Sequence, residues 1–220
     1  MRANIRKLVA RLDREFPLPE PIYEFGAREV TGQGQRAIRP LFHGRDYHGC
    51  DLEPGPGVDR VLDLERLALP DASIGAAIAL DTLEHAERFW AVAPELHRVL
   101  RPGGIALLTS VMYFPIHEYP ADYWRFTPDG MRALARPFET ILIGSAGHVD
   151  FPHSVVAIGI KAGGDPTAAG RLERALEHWS RREAQGLKEW LTLLLPPILL
   201  APAYRHFTRL TAWRRRSAPK

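Results

Sequence analysis

The sequence predicts an α/β fold built on an open, mostly parallel sheet, and three observations lead there. Tyr47 to Cys50, Val61 to Leu64 and Ile74 to Leu80 are short, nearly continuous apolar runs, which is how parallel strands buried on both faces read. The first two end in or beside an acid, Asp51 and Asp63, and the third is followed directly by Asp81. A helical segment and the turn Arg101-Pro102-Gly103-Gly104 come next, in the alternating order of strand and helix units. In such sheets ligands sit beyond the carboxyl ends of the strands, and acids placed there suit a ligand with hydroxyl and amino donors, such as a nucleoside.

Composition narrows the class. A chain of 220 residues, 45% hydrophobic and 25% charged, is long enough for one α/β domain plus an appendage and ordinary for a globular protein. The single cysteine, Cys50, leaves no intrachain disulfide and fits a reducing compartment. Arg205, Arg209, Arg214, Arg215, Arg216 and Lys220 lie in the last 20 residues without an acid, and removing those six turns the net charge from +3 to −3. The basic character therefore belongs to the tail, and no nucleic-acid partner is expected. The basic N-terminus lacks a continuous apolar stretch, so it is not a secretory signal, and no run reaches the roughly 20 apolar residues of a spanning helix.

Taken in order, residues 2–16 place Ile5, Leu8, Val9, Leu12 and Phe16 at helical spacing, an amphipathic helix expected to pack over the sheet, and Pro17, Pro19 and Pro21 end it. Ile22 to Gly26 is the first strand. Gly32 and Gly34 precede a helix through Arg36 to Leu41. Gly32 to Ala37 also fits G-x-G-x-x-A, but five residues separate it from the first strand, so an NAD-dependent oxidoreductase stays only an alternative. Asp46 to Leu52 is the second strand, Pro54-Gly55-Pro56-Gly57 a turn, Val61 to Leu64 the third strand, and Ser73 to Leu80 the central fourth. A helix over Ala86 to Leu100 carries Phe89, Val92, Leu96 and Leu100 on one stripe, with Gly103 and Gly104 past its end. Ile105 to Val111 is the fifth strand. The loop Met112 to Thr127 is dense in aromatic and polar groups, as substrate loops at this end of such folds are. Thr127 caps a helix with Pro128 at its first position, and Phe138 to Gly144 and Val155 to Lys161 are the last strands. The nine histidines show no tight ligand spacing, so no metal is expected.

Gly163-Gly164-Asp165-Pro166 divides a domain over residues 1–163 from a helical appendage over residues 164–220. The appendage has a charged helix from Arg171 to Trp190, then an apolar segment broken by Pro196 and Pro197, then the basic tail. This region either lies on a membrane surface, through residues 190–216, or covers the domain or a second copy in a homodimer.

Glu24-Phe25-Gly26, Asp51, Asp63-Leu64, Asp81-Thr82-Leu83-Glu84-His85 and Leu100 to Gly104 resemble, in order and spacing over roughly residues 20–162, the class I S-adenosylmethionine-dependent methyltransferases. Asp122-Tyr123-Trp124-Arg125-Phe126-Thr127-Pro128 is similar to a bacterial subgroup often linked to surface-polysaccharide systems. The resemblance implies a Rossmann-like methyltransferase fold: a mostly parallel seven-stranded sheet with an antiparallel edge and helices on both faces. It implies S-adenosylmethionine as cofactor, S-adenosylhomocysteine as product, and cofactor contacts from Glu24, Gly26, Ala27, Asp51, Leu52, Asp63, Leu64, Leu80 and Asp81. In the family Asp51 accepts the ribose hydroxyls, and Asp63 with the next backbone N–H meets the adenine. Arg28 stands where a second glycine is usual and either meets the cofactor carboxylate or points to solvent. His85 and His117 are the catalytic candidates, and Tyr119, Asp122, Tyr123, Trp124 and Arg125 the substrate-binding ones, unless Asp122 and Arg125 pair within a self-packed loop. The implied activity is methyl transfer to a small or lipid-linked acceptor, a glycan or glycolipid fitting the loop and tail best, in the cytoplasm or peripherally on the membrane's cytoplasmic face. The alternative is a non-catalytic methyltransferase-like scaffold at the membrane.

Overall fold

The computed structural model describes residues 2–29, 37–117 and 121–184. Its centre is a seven-stranded sheet: β1 (Ile22–Phe25), β2 (Tyr47–Asp51), β3 (Arg60–Val61), β4 (Ile74–Leu80), β5 (Leu100–Val111), β6 (Thr140–Gly147) and β7 (Pro152–Ile160), in the order β3-β2-β1-β4-β5-β7-β6. The first five strands are parallel, and β7 runs antiparallel between β5 and β6. The direction of winding reverses between β1 and β4, which makes their carboxyl ends the switch point where such sheets take ligands.

Alternating side chains of the strands feed two cores. On one face Tyr23, Phe25, Ala77, Ala79, Ala106 and Leu108 meet α2 (Phe89–Val99) and α3 (Pro128–Leu134) through Val92, Leu96, Met131 and Leu134. On the other, Ile22, Ile78, Ile105, Leu107 and Ile158 meet α1 (Ala3–Glu15) and α4 (Ala168–Ala184) through Ile5, Leu8, Leu12, Leu172, Leu176 and Trp179. The stripe in residues 2–16 is thus a core stripe. Thr127 caps α3 as the sequence predicts, its hydroxyl accepting from the Gly130 N–H at 3.0 Å.

Several elements differ from expectation. The third strand is only Arg60–Val61, because the chain leaves the sheet into a turn in which Asp63 Oδ1 accepts from the Glu65 N–H at 2.9 Å. The helix expected to end at Leu41 is a single 3₁₀ turn, Arg39–Phe42, since Pro40 cannot donate the bond a longer helix needs. The helix expected over Ala86 to Leu100 opens as a 3₁₀ turn, Leu83–His85, before α2, and Leu100 is already in β5. Gly103 and Gly104 therefore lie within a strand rather than past a helix; Gly103 has φ 74° and packs against Gly164. Of the two placements open for the appendage's first helix, α4 covers the domain: it buries Leu172, Ala175, Leu176 and Trp179 in the core on this face of the sheet. The apolar segment and basic tail lie outside the described residues, and no helix among those described is long and apolar enough to cross a membrane.

Candidate active site

The sheet register assembles the site. Phe25 pairs with both Cys50 and Ala79, so Gly26, Asp51 and Leu80 stand side by side where three adjacent strands end, and Asp51 pairs with Val61, two residues before Asp63. Gly26 has φ 80°, and a Cβ there would overlap the Thr82 hydroxyl, so glycine alone fits this turn. Ala27 holds the loop to β2, its N–H donating to the Cys50 carbonyl at 2.9 Å. Asp51 Oδ2 accepts from the Arg28 N–H at 3.1 Å and Oδ1 from the Glu53 N–H at 3.2 Å. A carboxylate offers about four acceptor sites, so Asp51 keeps capacity for a pair of ligand hydroxyls. The Arg28 side chain lies along Gly55 and pairs with Glu53 rather than pointing freely to solvent. Leu52 is exposed at the rim, while Leu64 and Leu80 are buried walls.

Glu24 is buried on β1, with the Tyr47 hydroxyl donating to its Oε2. Burial pushes its carboxyl up to about 7, against the opposing pull of that hydrogen bond and of Arg39.

Beyond β4, Asp81 sits at φ 51°, a backbone region few non-glycine residues adopt and one that gathers at functional sites. Arg2, from the residue before α1, forks onto its carboxylate, Nη2 to Oδ1 at 2.8 Å and Nε to Oδ2 at 3.1 Å, and Thr109 Oγ1 donates to Oδ1 at 3.0 Å. Burial raises the Asp81 carboxyl, but the Arg2 charge and hydrogen bonds more than offset this and hold it below its ordinary value. Arg2 also donates to the His153 carbonyl at 3.1 Å, and burial with the Arg2 charge lowers the His153 imidazole to about 4. Nothing in the sequence marks Arg2, because its role depends on where the first helix docks.

Glu84 is fully buried. Ser110 Oγ donates to its Oε2 at 2.7 Å, Oε1 has no hydrogen-bond partner among the described residues, and its carbonyl accepts from the Tyr123 and Trp124 N–H groups at 2.8 and 3.3 Å. Burial, and next the neighbouring Asp81 charge, push its carboxyl up to about 8.

The two catalytic candidates meet here. The His85 and His117 rings lie edge to face at 4.9 Å between centroids. His85 Nδ1 donates to the Ala121 carbonyl, and burial, with His117 contributing, lowers its basicity. His117 Nδ1 faces two acceptors, Asp122 Oδ2 at 3.1 Å and the Pro115 carbonyl at 3.3 Å. In neutral rings with Nδ1 donating, Nε2 carries the lone pair. One ligand atom from each of Glu84, His85 and His117 lies within 4.8 Å of the others, so histidines without ligand spacing along the chain are brought together by the fold.

Three substrate-binding candidates are engaged inside the loop. Asp122, its side chain 1% exposed, takes a fork from Arg125, with Nη2 to Oδ2 at 2.7 Å, and accepts from the His117 N–H at 2.8 Å. Trp124 Nε1 donates to the Ala86 and Glu87 carbonyls at 3.0 and 3.2 Å, and its ring packs on Phe89 and Trp90. Asp122, Trp124 and Arg125 thus hold the loop in shape, their polar atoms already satisfied. Tyr123 is 48% exposed and free to meet a ligand, and Tyr119 lies outside the described residues.

A methyltransferase-domain family model matches residues 31–108. An uncharacterized methyltransferase from Mycobacterium ulcerans (strain Agy99) is 29% identical over 119 residues, 53% of this chain and 46% of that protein. The chain spans about half the length of the curated relatives it matches. Among solved structures, a SAM-dependent methyltransferase from Archaeoglobus fulgidus superposes with a TM-score of 0.52 at 15% identity, over 71% of this chain and 94% of that one. An N-methyltransferase of Haemonchus contortus, in complex with phosphomonomethylethanolamine and S-adenosylhomocysteine, superposes with a TM-score of 0.54 at 14% identity, over 71% of this chain and 52% of that one. These structural likenesses show the fold. Residues 31–108 therefore resemble a methyltransferase domain, and the sheet order is the fold that this chain shares with S-adenosylmethionine-dependent methyltransferases of known structure.

Proposed function

We propose that this chain transfers a methyl group from S-adenosylmethionine to a hydroxyl of a small or lipid-linked acceptor, a glycan or glycolipid being the class that fits best. The observation that carries the reading is the line of Gly26, Asp51 and Leu80-Asp81 across three adjacent strand ends at the switch point. The cofactor supplies a methyl already activated on a sulfonium, which leaves the protein to bind it, align an acceptor and exclude water. Asp51 would hold the ribose hydroxyls with its spare acceptor sites, and Gly26 and Ala27 would let the backbone approach the methionine end. Asp63 and Leu64 would meet the adenine, with Glu24, Leu52, Leu80 and Asp81 completing the walls. His85 and His117 would face the acceptor's oxygen from the loop side.

The rim supports an acceptor with an apolar part. Tyr113, Ile116 and Tyr123 from the loop after β5 are exposed, and Phe151, 51% exposed, stacks edge-on to Tyr113 from the β6–β7 turn. Peripheral contact with a membrane through residues 190–216, and pairing of two copies, belong to the same reading.

Calorimetric titration with S-adenosylmethionine, S-adenosylhomocysteine and NAD tests it. Both adenosyl compounds bind, and Asp51→Ala weakens them at least about tenfold, since charge-assisted hydrogen bonds contribute about 1.5–3 kcal/mol each. Folded protein that binds neither adenosyl compound refutes the reading, and NAD binding alone returns the oxidoreductase. Radiolabelled methyl transfer to glycolipid and to free glycan then separates the acceptor classes, and cofactor binding without turnover on any acceptor favours the scaffold.

A further inference from the structure

We infer that Glu84, His85 and His117 form a binding site for one divalent first-row transition-metal cation. The three offer one carboxylate oxygen and two imidazole nitrogens within 4.8 Å of one another. Two imidazoles with one carboxylate suit Mn²⁺, Fe²⁺, Co²⁺ or Zn²⁺, whereas Mg²⁺ and Ca²⁺ prefer oxygen throughout.

Three features of the surroundings point to a ligand. Glu84 is 0% exposed and its Oε1 has no hydrogen-bond partner among the described residues, while Ser110 holds Oε2. A buried, unsatisfied carboxylate oxygen costs free energy that a cation would recover. Both histidines carry the outer contacts typical of metal ligands. His85 Nδ1 donates to the Ala121 carbonyl and His117 Nδ1 to the Pro115 carbonyl at 3.3 Å, with the Asp122 carboxylate, itself clamped by Arg125, 3.1 Å from the same nitrogen. Such contacts fix the tautomer and leave Nε2 for the metal. The hydrogen bonds of Arg2 go to Asp81 and to the His153 carbonyl and not to the Glu84 carboxylate. Ligand atoms around a cation with bonds of about 2.1 Å stand roughly 3–3.4 Å apart. His117, on the loop after β5, is the ligand placed to close the remaining gap.

The site deepens the methyl-transfer reading, because it lies among the residues that would face the acceptor. A bound cation would coordinate the acceptor's hydroxyl and raise its acidity, the proton passing to solvent. His85 and His117 would then act on that oxygen through the metal and not by taking the proton themselves.

The test uses tag-free, chelator-treated full-length protein titrated with Co²⁺, followed by its visible ligand-field absorption and by calorimetry. S-adenosylhomocysteine is titrated into the same preparation. One equivalent of Co²⁺ binds, and His117→Ala and Glu84→Gln each weaken it at least about tenfold, while His148→Ala leaves it unchanged. His117 is on a partly exposed loop, so its variant keeps the fold, which circular dichroism checks if Glu84→Gln loses it. Binding that ignores His117→Ala, or no saturable binding, overturns the site. Protein that takes S-adenosylhomocysteine but not Co²⁺ loses only the cation site. Protein that takes Co²⁺ in a His117-dependent way but no adenosyl compound loses only the methyltransferase reading.

Discussion

Replacing Glu24 by glutamine should make the protein more stable above neutral pH, an outcome opposite to most substitutions of buried residues. Glu24 lies on β1 just before the Gly26 turn, and burial lifts its carboxyl from 4.5 to about 7 despite the Tyr47 hydrogen bond. The folded chain then keeps a proton that the unfolded chain releases as pH rises from 4.5 to 7. Wherever the folded state binds more protons, stability falls as pH rises. At about 1.36 kcal/mol per pH unit, a rise from 4.5 to about 7 costs about 3 kcal/mol, fully felt above pH 7 and absent below pH 4.5. Glutamine keeps the shape and an acceptor for Tyr47 but does not titrate. The assay is urea unfolding of wild type and Glu24→Gln between pH 4.5 and 8.5. The variant's advantage should grow from near zero to about 3 kcal/mol, or about 6–12 °C in Tm for a chain of this size. Glu84 titrates in both proteins, so the difference isolates Glu24. A pH-independent difference, or a wild type that gains on the variant as pH rises, would refute the argument from burial.

The other expectations are narrower. Arg2→Ala strands the Asp81 carboxylate with Thr109 as its remaining side-chain partner, and should cost about 3 kcal/mol, as removing one member of a buried pair does. A double-mutant cycle with Asp81→Asn in thermal melts should give a coupling above about 1 kcal/mol, and additive losses would show that the pair is not the cause. Gly26→Ala meets both a φ of 80° and the Thr82 side chain, for a loss of about 2–4 kcal/mol. Adding Thr82→Ala should recover part of that loss, and no recovery would mean that backbone strain alone is responsible. Trp124→Ala removes the ring packed on Phe89 and Trp90 and two hydrogen bonds, and should cost about 3 kcal/mol and open residues 112–127 to limited proteolysis. Tyr123→Ala, whose ring is half exposed, should stay within about 0.5 kcal/mol of wild type.

Much of this architecture is local and so legible along the chain. The apolar runs at residues 47–50 and 74–80, the stripe of Ile5, Leu8, Val9 and Leu12, and the Thr127-Pro128 cap each reflect contacts between near neighbours. Buried strands need continuous apolar residues whatever lies beside them, and the acids at their ends mark where apolar burial stops. The third strand is shorter than its apolar run, because its pairing with β2 lasts only two residues, which no apolar count reveals. The docking of the helix after Pro166 is hidden in the sequence for a related reason. Residues 168–184 are charged on one face, and only docking against β6 and α1 shows that Leu172, Leu176 and Trp179 complete the core.

The sequence by itself therefore determined the α/β class and the strand ends at which the acids stand. Tertiary structure alone decided which of those polar groups are spent on one another. Arg2 reaches Asp81 across 79 positions, His85 meets His117 across 32, and Arg125 and His117 both close on Asp122. The physical reason is that a carboxylate or imidazole has the same chemistry wherever it stands. Its burial, its partners and its remaining lone pairs are set by elements distant in sequence, and those decide what it can bind.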